Sequence, residues 1–283
     1  MAGLFLFAAL CCALAPPALG KGDAKRGAYL AKAGGCAGCH TEGKKGAVPY
    51  AGGRDLKTLF GTFYGPNITP HAEAGVGRWS EADFMRALRS GLRPDGEHYF
   101  PAFPYAAFTG ITDADARDLW AFIRSLPPDP RASRPHQLSF PFNLRYLVRF
   151  WKWLYFSPGP FAAAARTPTL KRGAYLAGAL GHCGECHTPR NFLGGLKRDR
   201  LLAGVAKGPG GKSVPNLTPA KLKKWDDDEL KEFLVVGITP DGDVAAETMG
   251  EVVRNTTSQL TPEDLSALIA YLRSLPALAD EAR

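Results

Sequence analysis

Two short stretches hold the residues whose types and spacing could do chemistry. They are CAGCH, which ends at His40, and CGECH, which ends at His187. In each stretch two thiols with two residues between them are followed directly by an imidazole. The thiols of this pattern can bond the two vinyl groups of a haem while the histidine binds the proximal face of its iron. The pattern predicts two covalently bound haem c groups. Their attaching cysteines are Cys36, Cys39, Cys183 and Cys186.

Other uses of these cysteines make different demands on the chain. A thioredoxin-type pair needs no following histidine and belongs in a βαβ context. Structural zinc needs four ligands, so the two pairs would have to meet across domains or recruit further histidines. A chance match would have to occur twice, at corresponding places of a repeat. Covalent haem is therefore the interpretation that the sequence favours.

The two stretches belong to a repeat of about 146 residues, the separation of Lys25 from Lys171. KRGAYLAKAGGCAGCH, from Lys25, is answered by KRGAYLAGALGHCGECH, from Lys171. PNITP is answered by PNLTP, and RWSEADFMRALRSGLRPDG by KWDDDELKEFLVVGITPDG. A repeat of this length that occurs twice indicates duplicated globular domains, each with its own site.

Each unit has the pattern of a helical domain, because apolar residues recur at three- and four-residue steps between start and stop signals. Ser80 and Asp226 are placed to cap one helix of each unit, and Gly91 and Gly237 to end it. We expect an all-α fold of two tandem domains. Their predicted ranges are 21–128 and 167–283, joined by a linker over 129–166.

The first twenty residues, MAGLFLFAALCCALAPPALG, predict a signal peptide that is removed on export. They lack a basic start, so a retained anchor is the alternative, although the run is short for a bilayer span. We therefore expect a periplasmic protein, with association with the inner membrane as a further option. The formal charge of +8 is scattered, which argues against nucleic acid and suits an acidic protein partner or the anionic membrane surface.

The predicted linker has a strongly aromatic centre, FPFNLRYLVRFWKWLYF, which is too apolar for a free tether. We expect it to pack between the two domains. The alternative is a basic amphipathic stretch that lies on a membrane through Arg145, Arg149 and Lys152.

The sixth ligand of each iron is the next question, because a thioether in that position raises the reduction potential. Met249 follows His187 in what we expect to be an extended loop, because the segment has no helical periodicity, and we predict that it binds the second iron. The corresponding residue of the first unit is Phe103, which cannot coordinate iron. His98 is the nearest donor and the predicted ligand there, with His71 and His136 as more distant options.

These residues resemble the dihaem cytochromes c that accompany periplasmic dehydrogenases, including the cytochrome subunits of membrane-bound alcohol and gluconate dehydrogenases. The resemblance runs through CAGCH, PNITP, the PAFPY loop, the aromatic linker, GHCGECHTPRNFLG and PNLTP. It implies two tandem cytochrome c-type domains. In the alcohol dehydrogenase subunits the PAFPY loop usually has a methionine ligand at its centre, where this chain has Phe103.

We therefore expect an electron-transfer protein that is not itself an enzyme. It would accept electrons from a periplasmic dehydrogenase and pass them to the respiratory chain, through a cytochrome, an oxidase or a quinone. The alternative is a dihaem redox enzyme, peroxidase-like or thiosulfate-oxidising, with an open first haem. The first distal face has no acid–base pair beyond His98 and Glu97, which argues against peroxide cleavage.

Overall fold

The computed structural model describes residues 20–159, 166–208, 211–245 and 247–280. The predicted signal peptide, apart from its last residue, lies outside these described residues. In the first half the helices are α1 (Ala24–Ala33), α2 (Cys36–His40), α3 (Glu81–Ser90), α4 (Tyr105–Phe108), α5 (Asp113–Ser125) and α6 (Leu147–Tyr155). In the second half they are α7 (Pro168–Ala174), α8 (Gly184–His187), α9 (Pro219–Leu222), α10 (Asp227–Val236), α11 (Glu247–Asn255) and α12 (Pro262–Ser274). A π-helical segment continues α7, and short 3₁₀ turns precede α9 and α12.

The chain is mostly helical, but the all-α prediction missed a small sheet. Strands β1 (Asp55–Thr58), β2 (Gly61–Tyr64) and β3 (Gln137–Leu138) pair antiparallel in that order. The first two form a hairpin, and β3 comes from the predicted linker. Strands of two to four residues are too short to give a clear alternating pattern, so the sequence carried no usable signal for them.

The predicted caps of α3 and α10 are confirmed. Ser80 and Asp226 each form a capping box with the third residue of the helix. Gly91 and Gly237 end these helices with φ of 57° and 83°, in the left-handed region that a glycine adopts without a steric penalty. The same local signals therefore fix the same helix in both units.

The first and last helices of each unit cross at a glycine. A Cβ atom on Gly27 would lie 1.9 Å from the carbonyl oxygen of Asp118 on α5. A Cβ atom on Gly173 would lie 2.0 Å from the carbonyl oxygen of Ala267 on α12. Any side chain would force the helices apart, because atoms in a packed core have little room to move. This contact explains the glycine that both copies of KRGAYLA share.

The two units meet through a reciprocal exchange of side chains. Tyr29 on α1 donates its hydroxyl to Asp264 on α12, and Tyr175 of the second unit donates to Asp115 on α5. Their apolar side chains also form one continuous core, which includes Leu30 from the first unit. The duplicated units are thus related by matching contacts across their interface.

An arginine of the same unit holds each of these carboxylates. Arg172 donates to both oxygens of Asp264, at 2.7 and 2.6 Å, and Arg26 makes ion pairs with Asp115 and Asp118. Burial raises the pKa of Asp264, but the hydrogen bonds from Arg172 and Tyr29 lower it by more, so its pKa is below the ordinary value.

The aromatic linker contacts both units. Val148 on α6 is buried against Phe63 and Phe100 of the first unit, and the indole of Trp151 donates to the carbonyl of Leu193 in the second, at 3.0 Å. The linker therefore packs along the junction of the units.

Two of the linker's basic side chains point toward the protein. Lys152 donates to the carbonyl of Ser90, and Arg145 donates to the carbonyl of His98 at 2.7 Å. Of the three cations proposed for a basic membrane face, only Arg149 is exposed. No helix in the described ranges is both long enough and apolar enough to cross a bilayer.

Candidate haem sites

Each cysteine motif forms a short helical turn. The first coincides with α2, which begins after Gly35 in the left-handed region, with φ of 63°. In the second, Cys183 precedes α8. Neither cysteine pair is joined as a disulfide. Within the described ranges, no three His, Cys, Asp or Glu side chains are grouped as ligands of a metal ion.

The histidine of each motif is held in the orientation that an iron ligand needs. Nδ1 of His40 lies 2.8 Å from the carbonyl oxygen of Pro66, and Nδ1 of His187 lies 2.7 Å from that of Pro215. A carbonyl only accepts, so Nδ1 carries the proton and Nε2 keeps its lone pair. Burial lowers the pKa of both imidazoles, which favours the neutral form that binds metal. The two prolines belong to the PNITP and PNLTP repeats.

The first thiol of each motif, on Cys36 and Cys183, packs against the hydrophobic core. Burial, with a smaller effect of Cys39, raises the pKa of Cys36 to about 12, and burial with a smaller effect of Cys186 raises that of Cys183 to about 11. These pKa values keep both thiols protonated at neutral pH.

The two motifs adjoin across the interface between the units. Cys186 of the second motif is close enough to raise the pKa of Cys39 in the first, an effect smaller than those of burial and Arg54. Helix α11 of the second unit also contacts α2, and Arg54 of the first unit pairs with Glu251 on α11 at 2.7 Å. The thioether-forming edges of the two sites therefore lie on a shared boundary.

A cavity opens beside the first motif, and its walls are mostly aromatic and aliphatic. Its residues include Cys36, Cys39, His40, Leu88, Phe103 and Phe108. The lining fits a haem, because two thiols and an imidazole with a free Nε2 face a mostly apolar space. When bound, the haem would supply a metal centre that changes oxidation state by one electron.

Phe103, the residue that replaces a methionine in the repeat, lies on the cavity wall. Its ring packs edge-on against Tyr99, Tyr105 and Phe108, with centroids 5.4, 6.4 and 5.7 Å apart. Phe103 thus lines the cavity as part of an aromatic cluster and itself offers no iron ligand.

The predicted sixth ligands lie in different settings. Met249 is half-buried on α11, so the expectation that it lies in an extended loop was wrong; the segment becomes helical where it packs on α10 and α2. His98 lies just outside the residues that line the first cavity, and its Nδ1 is buried without a hydrogen-bond partner. Ligation by Met249 and by His98 both stay predictions.

Two histidines that are distant in sequence from the first motif line the first cavity. His182, from the second unit, packs edge-on against Phe108 at 5.4 Å, and His136 comes from the linker beside β3. Both histidines are far along the chain from the first cysteine motif, so no local sequence pattern could have predicted that they line this cavity. His71 is absent from the residues that line this cavity.

The amides of Asn67 and Asn216 are occupied by the chain itself. Nδ2 of Asn67 donates to the carbonyls of Asp129 and Arg131, both at 2.9 Å. Nδ2 of Asn216 donates to the carbonyl of Leu278 at 2.8 Å. Each asparagine thus binds the segment that follows the last helix of its unit. These hydrogen bonds hold the turn that lies beside each motif histidine.

Two helical units, each with a thiol pair and an oriented neutral imidazole, define a class of protein: electron carriers with covalently attached haem. The profile of the cytochrome c family matches residues 24–127 and 170–276. The chain belongs to the cytochrome c family, and it has two covalently bound haem c groups.

Curated relatives support the same assignment over most of the chain. A dihaem cytochrome c-type protein of Cereibacter sphaeroides is 45% identical over 91% of this chain and 87% of its own length. The fructose dehydrogenase cytochrome subunit of Gluconobacter japonicus is 39% identical over 90% of this chain and 53% of its own. The gluconate 2-dehydrogenase cytochrome c subunit of Pantoea cypripedii is 36% identical over 89% and 59%.

The chain thus spans most of the first relative and a little over half of each dehydrogenase subunit. It is similar to electron-transfer subunits and is itself an electron-transfer protein, not a catalytic enzyme.

Proposed function

We propose that this protein accepts electrons from a periplasmic dehydrogenase and passes them, through its two haems, to a cytochrome, oxidase or quinone of the respiratory chain. The observation that carries this proposal is that the two cysteine motifs adjoin across the interface, where His182, directly before the second motif, lines the same cavity as Cys36 and Cys39. Haems attached there would have neighbouring edges. An electron that enters one unit could then leave from the other without a separate docking step.

The similarity to dehydrogenase cytochrome subunits supports a dehydrogenase as the donor. The test mixes the oxidised holoprotein with the catalytic subunits of gluconate 2-dehydrogenase or fructose dehydrogenase and the matching sugar substrate. We expect haem reduction, seen in the visible spectrum, only with both enzyme and substrate present. Reduction by neither enzyme, while dithionite reduces both haems, would contradict this choice of donor class.

The periplasmic location is proposed because the sequence predicts a signal peptide and because the haems are covalently attached. Fusion of residues 1–20 to a reporter that is active only after export tests it. An inactive reporter would contradict export by this segment.

We further propose association with an anionic membrane surface through an aromatic face on the linker. The face is defined by its exposed side chains, Phe140, Phe142, Tyr146, Leu147, Phe150, Trp153 and Leu154. Trp153 is 77% exposed, and the described part of the linker from 137 to 159 has no acidic residue. Tryptophan and tyrosine favour the interface between lipid and water, and such surfaces repel acidic side chains.

The test sediments the holoprotein with vesicles of phosphatidylcholine and phosphatidylglycerol. The double variant Phe150→Ser, Trp153→Ser should lose vesicle binding, whereas Val236→Ser, which changes an exposed apolar residue on α10, should retain it. Unchanged vesicle binding by the double variant would contradict a membrane role. If that variant kept vesicle binding and lost only its reduction by the dehydrogenase, the aromatic face would be the docking surface for the protein partner.

A further inference from the structure

A second cavity adjoins the first at the end away from the cysteines. The two share part of their lining, which includes Tyr64, Trp79, Tyr99, Phe100 and His136. The second cavity is more polar, with lining residues that include Asn67, Arg93, Arg134 and Arg145 and no cysteine. The apolar space beside the motif therefore leads into a polar one.

This arrangement matches the two opposite edges of a haem. The vinyl groups, which the thiols of Cys36 and Cys39 capture, lie on one edge of the macrocycle, and the two propionates lie on the other. Carboxylates are costly to bury unless hydrogen-bond donors or cations meet them. The propionate edge of the first haem therefore belongs where the two cavities join.

His136 stands at this junction with a fixed tautomer. Its Nδ1 accepts the backbone N–H of Tyr64 at 3.1 Å. Its ring is held edge-on between Phe63 and Phe100, at centroid distances of 5.2 and 5.7 Å. Because a backbone N–H only donates, Nδ1 is unprotonated in the neutral ring and Nε2 carries the proton.

The tautomer of His136 is the reverse of the one found at the iron-binding position. In His40 the proton is on Nδ1 and the lone pair is on Nε2, whereas in His136 Nε2 has only a proton to offer. A protonated ring nitrogen cannot coordinate iron. His136 is thus suited to bind an anion in the cavity and unsuited to be the sixth ligand.

We infer that Nε2 of His136 donates a hydrogen bond to a propionate of the first haem, and that gain of a second proton by this ring raises the potential of that haem. The inference depends on the covalent haem alone and not on which dehydrogenase is the donor. Oxidised haem carries one more positive charge than reduced haem. A cationic imidazole at its edge therefore favours the reduced state.

Several charged groups face His136 and set its working range. Burial lowers the pKa of His136, and Arg145, which lies over the ring of Phe100 at 4.5 Å, lowers it further. Arg134, over the ring of Tyr64, and Arg93 add positive charge from the second cavity, and are paired with carboxylates. Glu73 and Asp95 are the acidic residues that line that cavity. A propionate would act against the arginines and favour protonation of the ring.

The sign of the effect follows from this linkage. As the pH falls through the pKa of His136, the ring gains charge and the potential of the first haem rises. Between the pKa values of the oxidised and reduced forms, a tenfold change in proton activity shifts a one-electron potential by at most about 59 mV. The second haem provides an internal reference in the same molecule.

The experiment is a spectroelectrochemical titration of the holoprotein from about pH 4.5 to 8, fitted to two one-electron components. We expect one component to rise in potential as the pH falls. His136→Gln should retain both haems and remove that pH dependence, because an amide donates a hydrogen bond without titrating. His136→Leu should remove it too and lower the potential further, because the propionate loses its donor.

His71→Gln is the matched control. Nδ1 of His71 accepts backbone N–H groups of Glu73 and Ala74, as His136 accepts that of Tyr64, but His71 lines neither cavity. This variant should keep the wild-type pH dependence. Two results would overturn the inference: the same pH dependence in His136→Gln as in wild type, or a change of that variant to a high-spin, carbon monoxide-binding first haem, which would make His136 an iron ligand.

Discussion

The two units hold their haem-binding motifs in nearly the same way, yet they differ on the side where the sixth ligand would lie. His40 and His187 donate to equivalent proline carbonyls, and the first and last helices cross at equivalent glycines. At the equivalent position of the repeat the first unit has the aromatic residue Phe103 and the second has Met249, the predicted sixth ligand. The proximal frame must match in both because it holds the same group in the same way. The distal side is free to differ, and a thioether there raises the reduction potential.

The largest expected effect separates the two attachment sites. The double variant Cys36→Ala, Cys39→Ala should lose the mass of one haem, and so should Cys183→Ala, Cys186→Ala, because each thiol pair holds one macrocycle. Mass spectrometry of the denatured protein, made in cells that mature c-type haem, measures this. Two haems on either variant, or none on the wild type, would contradict covalent attachment at these residues.

Binding of carbon monoxide sharpens the comparison of the distal sides. Met249→Ala should open the second iron, so that one haem of the reduced variant binds carbon monoxide, as seen in the visible spectrum. His98→Ala tests the first iron in the same way. Met85→Ala is the matched control, because Met85 packs against the core and should leave both spectra unchanged.

Each outcome at the distal sides is informative. A spectrum of Met249→Ala like that of the wild type would reject Met249 as a ligand. Binding of carbon monoxide to the first haem of the wild type would reject His98 as its sixth ligand. It would also show that Phe103 lines an open coordination site.

The helix crossings should respond alike in the two units. Gly27→Ala and Gly173→Ala each place a Cβ about 2 Å from a backbone oxygen, so each should destabilise its unit by about 1–3 kcal/mol, the usual cost of overpacking. Denaturant unfolding of the holoprotein measures the loss. A loss from only one of the two glycine variants would show that the crossings are not equivalent.

These comparisons also show where sequence reasoning succeeds. The capping boxes of Ser80 and Asp226 and the glycines that end α3 and α10 depend on neighbours in the chain, so their pattern predicted them. The repeat predicted that both motifs sit in matching units. Such features are local, or are copied from one half to the other.

The sequence could not predict the contacts that depend on how the two units and the linker pack. His136 reaches the first cavity because β3 adds to the hairpin, and His182 reaches it because the second unit docks beside the first. Met249 was expected in a loop, and it is helical because α11 packs between α10 and α2. The neighbours of His136, His182 and Met249 in the chain give no signal of these contacts, because the contacts form only in the tertiary structure.

The smallest effect tests the reciprocal interface. Tyr29→Phe and Tyr175→Phe each remove a hydrogen bond to a carboxylate across the interface, and each should cost about 1.5 kcal/mol, the lower end of the range for hydrogen bonds to charged groups. The losses should be similar because the contacts mirror each other. Thermal unfolding of both variants measures the two losses of stability. A loss confined to one variant would show that the two contacts have the same geometry but different energies.

The pH dependence of stability tests the same interface from the carboxylate side. The pKa of Asp264 is lower in the folded protein than its ordinary value, because the hydrogen bonds of Arg172 and Tyr29 outweigh its burial. Its ionised form therefore contributes stability that is fully present above about pH 4, the ordinary value for aspartate, and is lost as the pH falls through the lower, folded value. Asp264→Asn should be less stable than the wild type at pH 7, and the difference should shrink in acid. A difference that stayed constant down to pH 2 would mean that the packing of this side chain, not its charge, holds the second unit to the first.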